Sequence, residues 1–166
     1  MKRLIISVLV LLILGSTAFA QLEKGDKEVQ LQGTFVTYSG MSVIILNATY
    51  GYFIKENIQL GVGPAILYAT AGGDDYTQFG SSFFGRYYFT TTEKLVPYIG
   101  GQWYQMDFSP EDGASFTDYT YLQATGGFKY MVSENVAYDV SANLGFPLGS
   151  GGGTIFMILG GLSAFF

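Results

Sequence analysis

The chain of 166 residues contains no cysteine and no histidine. Without cysteine there is no disulfide framework, no thiol nucleophile and no thiolate metal site. Without histidine the commonest general base and the commonest transition-metal ligand are missing. Charge is scarce: 13% of residues are Asp, Glu, Lys or Arg, against about 25% in an average soluble domain. The eight basic residues are outnumbered by 13 acidic ones, which argues against a nucleic-acid partner, since that requires basic patches. Beyond residue 20 no apolar run reaches the ~20 residues of a membrane-spanning helix. Yet 49% of the chain is hydrophobic and 17% aromatic. Those side chains must be organised by some other pattern.

The N-terminus has its own pattern. Lys2 and Arg3 precede an almost unbroken apolar run, Leu4 to Leu14, and then Ala18-Phe19-Ala20. A basic tip, a short apolar core and a small-x-small site are the parts of a secretory signal peptide. Cleavage is expected after Ala20, and no cysteine follows the cut to carry a lipid anchor. The expected organisation is a signal peptide over 1–20, a periplasmic lead segment over 21–27 and one folded domain over 28–166. The mature part keeps six basic and 13 acidic residues, a net charge of −7 (6 − 13).

Within the domain the periodicity is two. Val136, Tyr138, Val140, Ala142, Leu144 and Phe146 alternate with Ala137, Asp139, Ser141, Asn143 and Gly145. Such alternation marks a strand whose two faces meet different surroundings. The run is longer than the usual 5–6 residues of a soluble strand and suits the about 9–11 that cross a bilayer at a tilt. Seven further segments alternate: 28–38, 42–54, 58–68, 76–89, 96–108, 118–131 and 154–166, with both faces mixed in 96–108. "IKENI" at Ile54–Ile58 and "VSENV" at Val132–Val136 read as three-residue hairpin loops. Centred on Glu56 and Glu134, they pair Tyr52 with Leu60, Tyr130 with Tyr138 and Lys129 with Asp139, which keeps the apolar faces together. Pro64 cannot donate to a ladder, so a bulge or break is expected there.

The connections alternate between tight turns and longer loops rich in Gly, Ser and Asp, and aromatics gather near both rims. Tyr52, Tyr87, Phe89, Tyr98, Tyr130 and Tyr138 lie towards the short-turn end. Tyr38, Tyr68, Phe108, Tyr119, Tyr121, Phe146 and Phe156 lie towards the loop end. Short turns at one rim and aromatic girdles at both are habits of membrane barrels. On the signal peptide, the eight alternating segments, the KEN and SEN turns and Phe166, the chain resembles the small outer-membrane barrels of the OmpA/OmpX type. The resemblance implies an all-β, eight-stranded, antiparallel, up-and-down transmembrane barrel in a Gram-negative outer membrane. It implies outer-membrane lipid and lipopolysaccharide as surroundings, and the barrel-assembly machinery as a partner that reads Phe166 as its signal. A larger outer-membrane complex is a further expected partner. The alternative is a soluble lipocalin-like barrel with its apolar face turned inward, against which the uncharged Gly/Ser/Thr/Gln composition of the polar face counts.

In a barrel of eight strands the interior holds only side chains. The expected inward set is Glu28, Gln30, Gln32, Asn47, Thr49, Gln59, Arg86, Gln102, Gln123, Lys129, Asp139, Ser141 and Asn143. Glu28, Arg86, Lys129 and Asp139 are its four charges, two of each sign, and buried charges need partners. An interior ion network is expected, with Lys129–Asp139 as its cross-strand pair. The loop end is acidic: Asp74, Asp75, Glu111 and Asp112 form a candidate divalent-cation site, because carboxylate oxygens suit such ions. The enzymes among barrels of the resembling type use a histidine, so neither an enzyme nor a cofactor is expected. The expected role is structural, surface-contacting or that of a complex subunit, with a narrow pore as the alternative.

Overall fold

The computed structural model describes residues 22–38, 41–71, 74–107, 120–149 and 153–166. Eight strands follow in order: β1 Lys27–Tyr38, β2 Met41–Lys55, β3 Ile58–Ala71, β4 Asp74–Tyr88, β5 Leu95–Asp107, β6 Thr120–Ser133, β7 Val136–Pro147 and β8 Ile155–Phe165. Each is antiparallel to its neighbours, and β1 pairs with β8 to close a barrel. No described helix is long and apolar enough to cross a membrane; the strands carry the apolar surface instead.

Alternation sorts the side chains. Leu31, Phe83, Ile99, Leu122 and Phe156 point outward and are more than half exposed. Their polar or small neighbours point inward. Every residue of the expected inward set is buried except Gln102, which is half-buried. The mixed segment is resolved the same way: Val96, Tyr98 and Tyr104 face in, whereas Leu95 and Ile99 face out. Tyr98 and Tyr121 therefore belong to the interior and not to an outer girdle; Tyr121 packs on Ala65 and Tyr104. Phe108 and Tyr119 lie outside the described residues.

The hairpin registers are Tyr52 opposite Leu60, Tyr130 opposite Tyr138 and Lys129 opposite Asp139. The turns themselves are tighter than three residues. Lys55 pairs with Ile58 and Ser133 with Val136, and the register shift beside each is a bulge that absorbs the extra residue. The carbonyls of Asn57 and Asn135 then accept bonds from Tyr88 N and Phe165 N, so each turn caps the end of the next strand. Pro64 causes neither bulge nor shift. Asn47–Ala65 and Tyr50–Val62 share one register, and only the pairs between them are missing. The ladder skips the position where the donor is lost, and Gly63 O accepts Ser82 Oγ at 3.3 Å.

The interior is layered. At the short-turn end Leu22, Phe53, Tyr88, Val96, Tyr98, Met131, Ala137 and Phe165 form an apolar cluster. The four buried charges lie next to it, followed by amides and hydroxyls, and Ala65 and Tyr104 pack nearer the loop end.

Candidate functional site

Inward positions on eight different strands converge on Lys129 and Glu28. Lys129, fully buried, donates from Nζ to Glu28 Oε1, to Asp139 Oδ2 at 2.7 Å and to Ser163 Oγ at 2.9 Å. Three protons meet three acceptors, so this ammonium is saturated. Glu28 Oε2 accepts from Gln59 Nε2 at 2.6 Å. Asp139 Oδ1 accepts from Gln32 Nε2 and from Tyr98 OH at 3.0 Å. Tyr88 OH donates to Gln59 Oε1, and Thr49 Oγ1 to Gln30 Oε1. Two carboxylates and two cations sum to zero charge, which is the condition for burying them together.

Arg86 is held differently. Its Nη2 donates to Gln30 Oε1 at 2.8 Å, and its Nη1 lies 3.9 Å from Glu28 Oε2, an ion pair without a hydrogen bond. Nε and Nη1 have no hydrogen-bond partner. The guanidinium is stacked instead: Cζ is 4.3 Å from the Phe84 ring centroid and 5.1 Å from that of Tyr98. Phe84 can lie flat there because Gly61 has no Cβ; an added one would strike the Phe84 ring and Tyr50 O. Gly61 thus seats Phe84, and Phe84 seats Arg86.

The structure brings Glu28, Arg86, Lys129 and Asp139 into one cluster, with Lys129–Asp139 as a cross-strand pair that Glu28 joins from β1. It also recruits Tyr98, Gln59 and Ser163. Tyr98 was obscured by the mixed pattern of its segment, and alternation puts the small Ser163 inward without marking it as a partner of Lys129. Asp74 and Asp75 lie at the loop end of β4. Glu111 and Asp112 fall outside the described residues. Among the described residues no group of three His, Cys, Asp or Glu could hold a metal ion. Phe166 is 62% exposed on the outer face beneath Lys27 Nζ, and its backbone exchanges two hydrogen bonds with Lys27.

The lead segment turns out to be part of the site's enclosure. Asp26 N bonds Glu23 O, Glu23 N bonds Asp26 Oδ2, and Gly25 takes φ 103°. This turn sends the chain back over the mouth. Gly25 N and Asp26 O bond Phe53 on β2, and Leu22 N reaches Thr91 O between β4 and β5, on the far side of the barrel. Leu22 is 2% exposed in the apolar cluster. A strap across the short-turn mouth therefore shields the ion network from that end.

No family model matches the chain, and no curated protein does. Solved structures do. The N-terminal β-barrel domain of Pseudomonas aeruginosa OprF aligns over 86% of this chain and 98% of its own, with TM-score 0.66 and 18% identity. A de novo designed transmembrane β-barrel aligns over 88% and 99%, with TM-score 0.57 and 14% identity. This is the fold of the small eight-stranded outer-membrane barrels. OprG from P. aeruginosa, an outer membrane protein, aligns over 89% and 99% at TM-score 0.50 and 16% identity. At such identities the likeness extends to the barrel's architecture. The ion network is derived from this chain's own residues.

Proposed function

We propose that this barrel spans the outer membrane of a Gram-negative cell and has a non-enzymatic role. That role is envelope integrity, surface contact or service as a small subunit of a larger outer-membrane complex. The observation that carries the reading is an interior closed by one neutral network to which every strand contributes. Such a network cross-links the wall and leaves no path for solute. The apolar exterior supports the membrane placement: a barrel closed by strand pairing keeps its backbone groups largely within itself and can meet lipid. In the outer-membrane fraction, the folded protein should migrate differently boiled and unboiled on a gel. Identical mobility would contradict a closed barrel in that membrane.

A narrow pore is the second reading, and Arg86 favours it. Its one hydrogen bond and two nitrogens without a hydrogen-bond partner make it the loosest member of the network. Single-channel recording of Asp139→Asn separates the readings. Altered current supports a pore, and unchanged absence of current supports the closed barrel.

A further inference from the structure

The outer wall carries a groove where β4, β5 and β6 run side by side. Its volume is about 600 Å³, and Ile58, Gly85, Tyr87, Ile99 and Ala124 line it on the outer face. Gly85, Gly101 and Ala124 are consecutive partners across the three strands, so one row of the wall has almost no side chain. Packing within the chain does not demand this. A Cβ at outward Gly101 would meet its nearest neighbour at 3.8 Å, an ordinary contact, whereas one at inward Gly61, Gly63 or Gly100 would clash. Glycine in a strand that its own neighbours do not require marks the close approach of another group.

Below the groove, at the short-turn rim, stands Lys94. Its carbonyl accepts from Met131 N at 2.8 Å, and its ammonium lies 4.9 Å from the centroid of the outward Tyr130 ring. The side chain is exposed, and among the described residues no carboxylate pairs with it, that of adjacent Glu93 included. Tyr130 and Ala124 are six residues apart (130 − 124). That is about 20 Å along the strand, or about 14 Å in height at a tilt of about 45°. One leaflet of a ~30 Å hydrocarbon core is about 15 Å deep. The cation therefore stands at headgroup depth when the groove lies beside the chains of the same leaflet. Lys27 takes a similar pose, 5.9 Å from the Phe166 ring centroid, but exposed Val29, Leu31 and Leu162 fill the wall above it. The β4–β6 wall joins a free cation to an apolar groove.

We infer that this wall is a phospholipid seat: Lys94 holds the phosphate of an anionic phospholipid in the leaflet on the short-turn side, and one acyl chain lies in the groove against Ile99, Gly101 and Ala124. Charge complementarity selects this occupant. A second barrel could fill the dent, but the unpaired cation at its lower edge calls for an anion. A headgroup with net negative charge is preferred to a zwitterionic one, whose own ammonium would face Lys94. The inference rests on the membrane placement proposed above and adds a lipid class to it.

The test is methyl NMR of the full barrel in phosphatidylcholine nanodiscs containing a small fraction of lipid with a nitroxide at its chain end. Labelled phosphatidylcholine should broaden the outward methyls of Ile99, Leu31 and Leu162. If it broadens none of them, the membrane placement fails and the seat with it. With the placement established, labelled phosphatidylglycerol should broaden Ile99 relative to Leu31 about fivefold more than labelled phosphatidylcholine does, the worth of one lysine near an anionic surface. Lys94→Gln should abolish that preference, and Lys27→Gln should keep it. Ala124 is exposed, so Ala124→Leu fills the groove without entering the interior and should abolish the preference as well. Equal broadening of Ile99 and Leu31 by the anionic lipid, or a preference that survives Lys94→Gln or Ala124→Leu, would overturn the seat. An Ile99 methyl shielded from both lipids while Leu31 is broadened would overturn it in favour of a second barrel.

Discussion

At the residue scale, Lys129 matters most, because one ammonium bridges two carboxylates that approach from different strands. Lys129→Met removes the cation and leaves Glu28 and Asp139 facing each other in a buried site. Breaking a buried pair in this way costs about 3–5 kcal/mol. Reversible urea unfolding in lipid vesicles should show a loss of that size, and a loss below ~1 kcal/mol would mean that water already reaches the site. The glycines offer a paired test. Gly61→Ala drives a methyl into Phe84 and the Tyr50 carbonyl, whereas a methyl at Gly126 meets nothing within 4 Å. Gly61→Ala should destabilise by about 1–3 kcal/mol. Gly126→Ala should be neutral or stabilising by ~0.5–1 kcal/mol, and equal midpoints for the two variants would refute the seating of Arg86 through Phe84. The four charges were legible in the sequence, since alternation put them all on the polar face. Arg86's stacking was not: it depends on Phe84, an inward aromatic that alternation alone does not distinguish from filler.

At the scale of elements, what could be read depended on sequence distance. The hairpins β2–β3 and β6–β7 were legible down to their registers, because a tight turn fixes which residues face each other. The turn interiors were not, since a bulge trades one loop residue for a local kink without moving the register. The strap was invisible. Leu22 finds its place only when a barrel made by eight distant segments gives it a mouth to cover. Two outcomes follow from these elements. Asn135 holds Phe165 O through its side chain as well as Phe165 N through its carbonyl, whereas Asn57 contributes its carbonyl to Tyr88 N. Asn135→Ala should therefore cost ~1 kcal/mol in urea unfolding and Asn57→Ala less; the reverse order would contradict the capping geometry. For the strap, a cysteine introduced at Ala137, fully buried in the apolar cluster, reports access from the short-turn side. With Leu22→Asp it should react with a membrane-impermeant maleimide about tenfold faster or more, since a charge cannot stay in an apolar seat. An unchanged rate would show that the strap does not seal that mouth.

At the scale of the whole molecule, composition and architecture explain each other. The scarcity of charge, the excess of aromatics and the many inward glycines are what a narrow barrel with an apolar outside requires. Gly51, Gly61, Gly63 and Gly161 each stand where a Cβ would collide with a neighbouring strand or side chain. The interior is filled twice near the short-turn end, first by the Leu22 cluster and then by the ion network centred on Lys129. Amides and hydroxyls follow towards the loop end. On the proposed reading, such a barrel is a membrane body whose interior is filled near the short-turn end. The most direct measurement is planar-bilayer recording of the folded, unmodified protein at moderate voltage. A closed barrel predicts a baseline without discrete current steps, and sustained stepwise openings would contradict it.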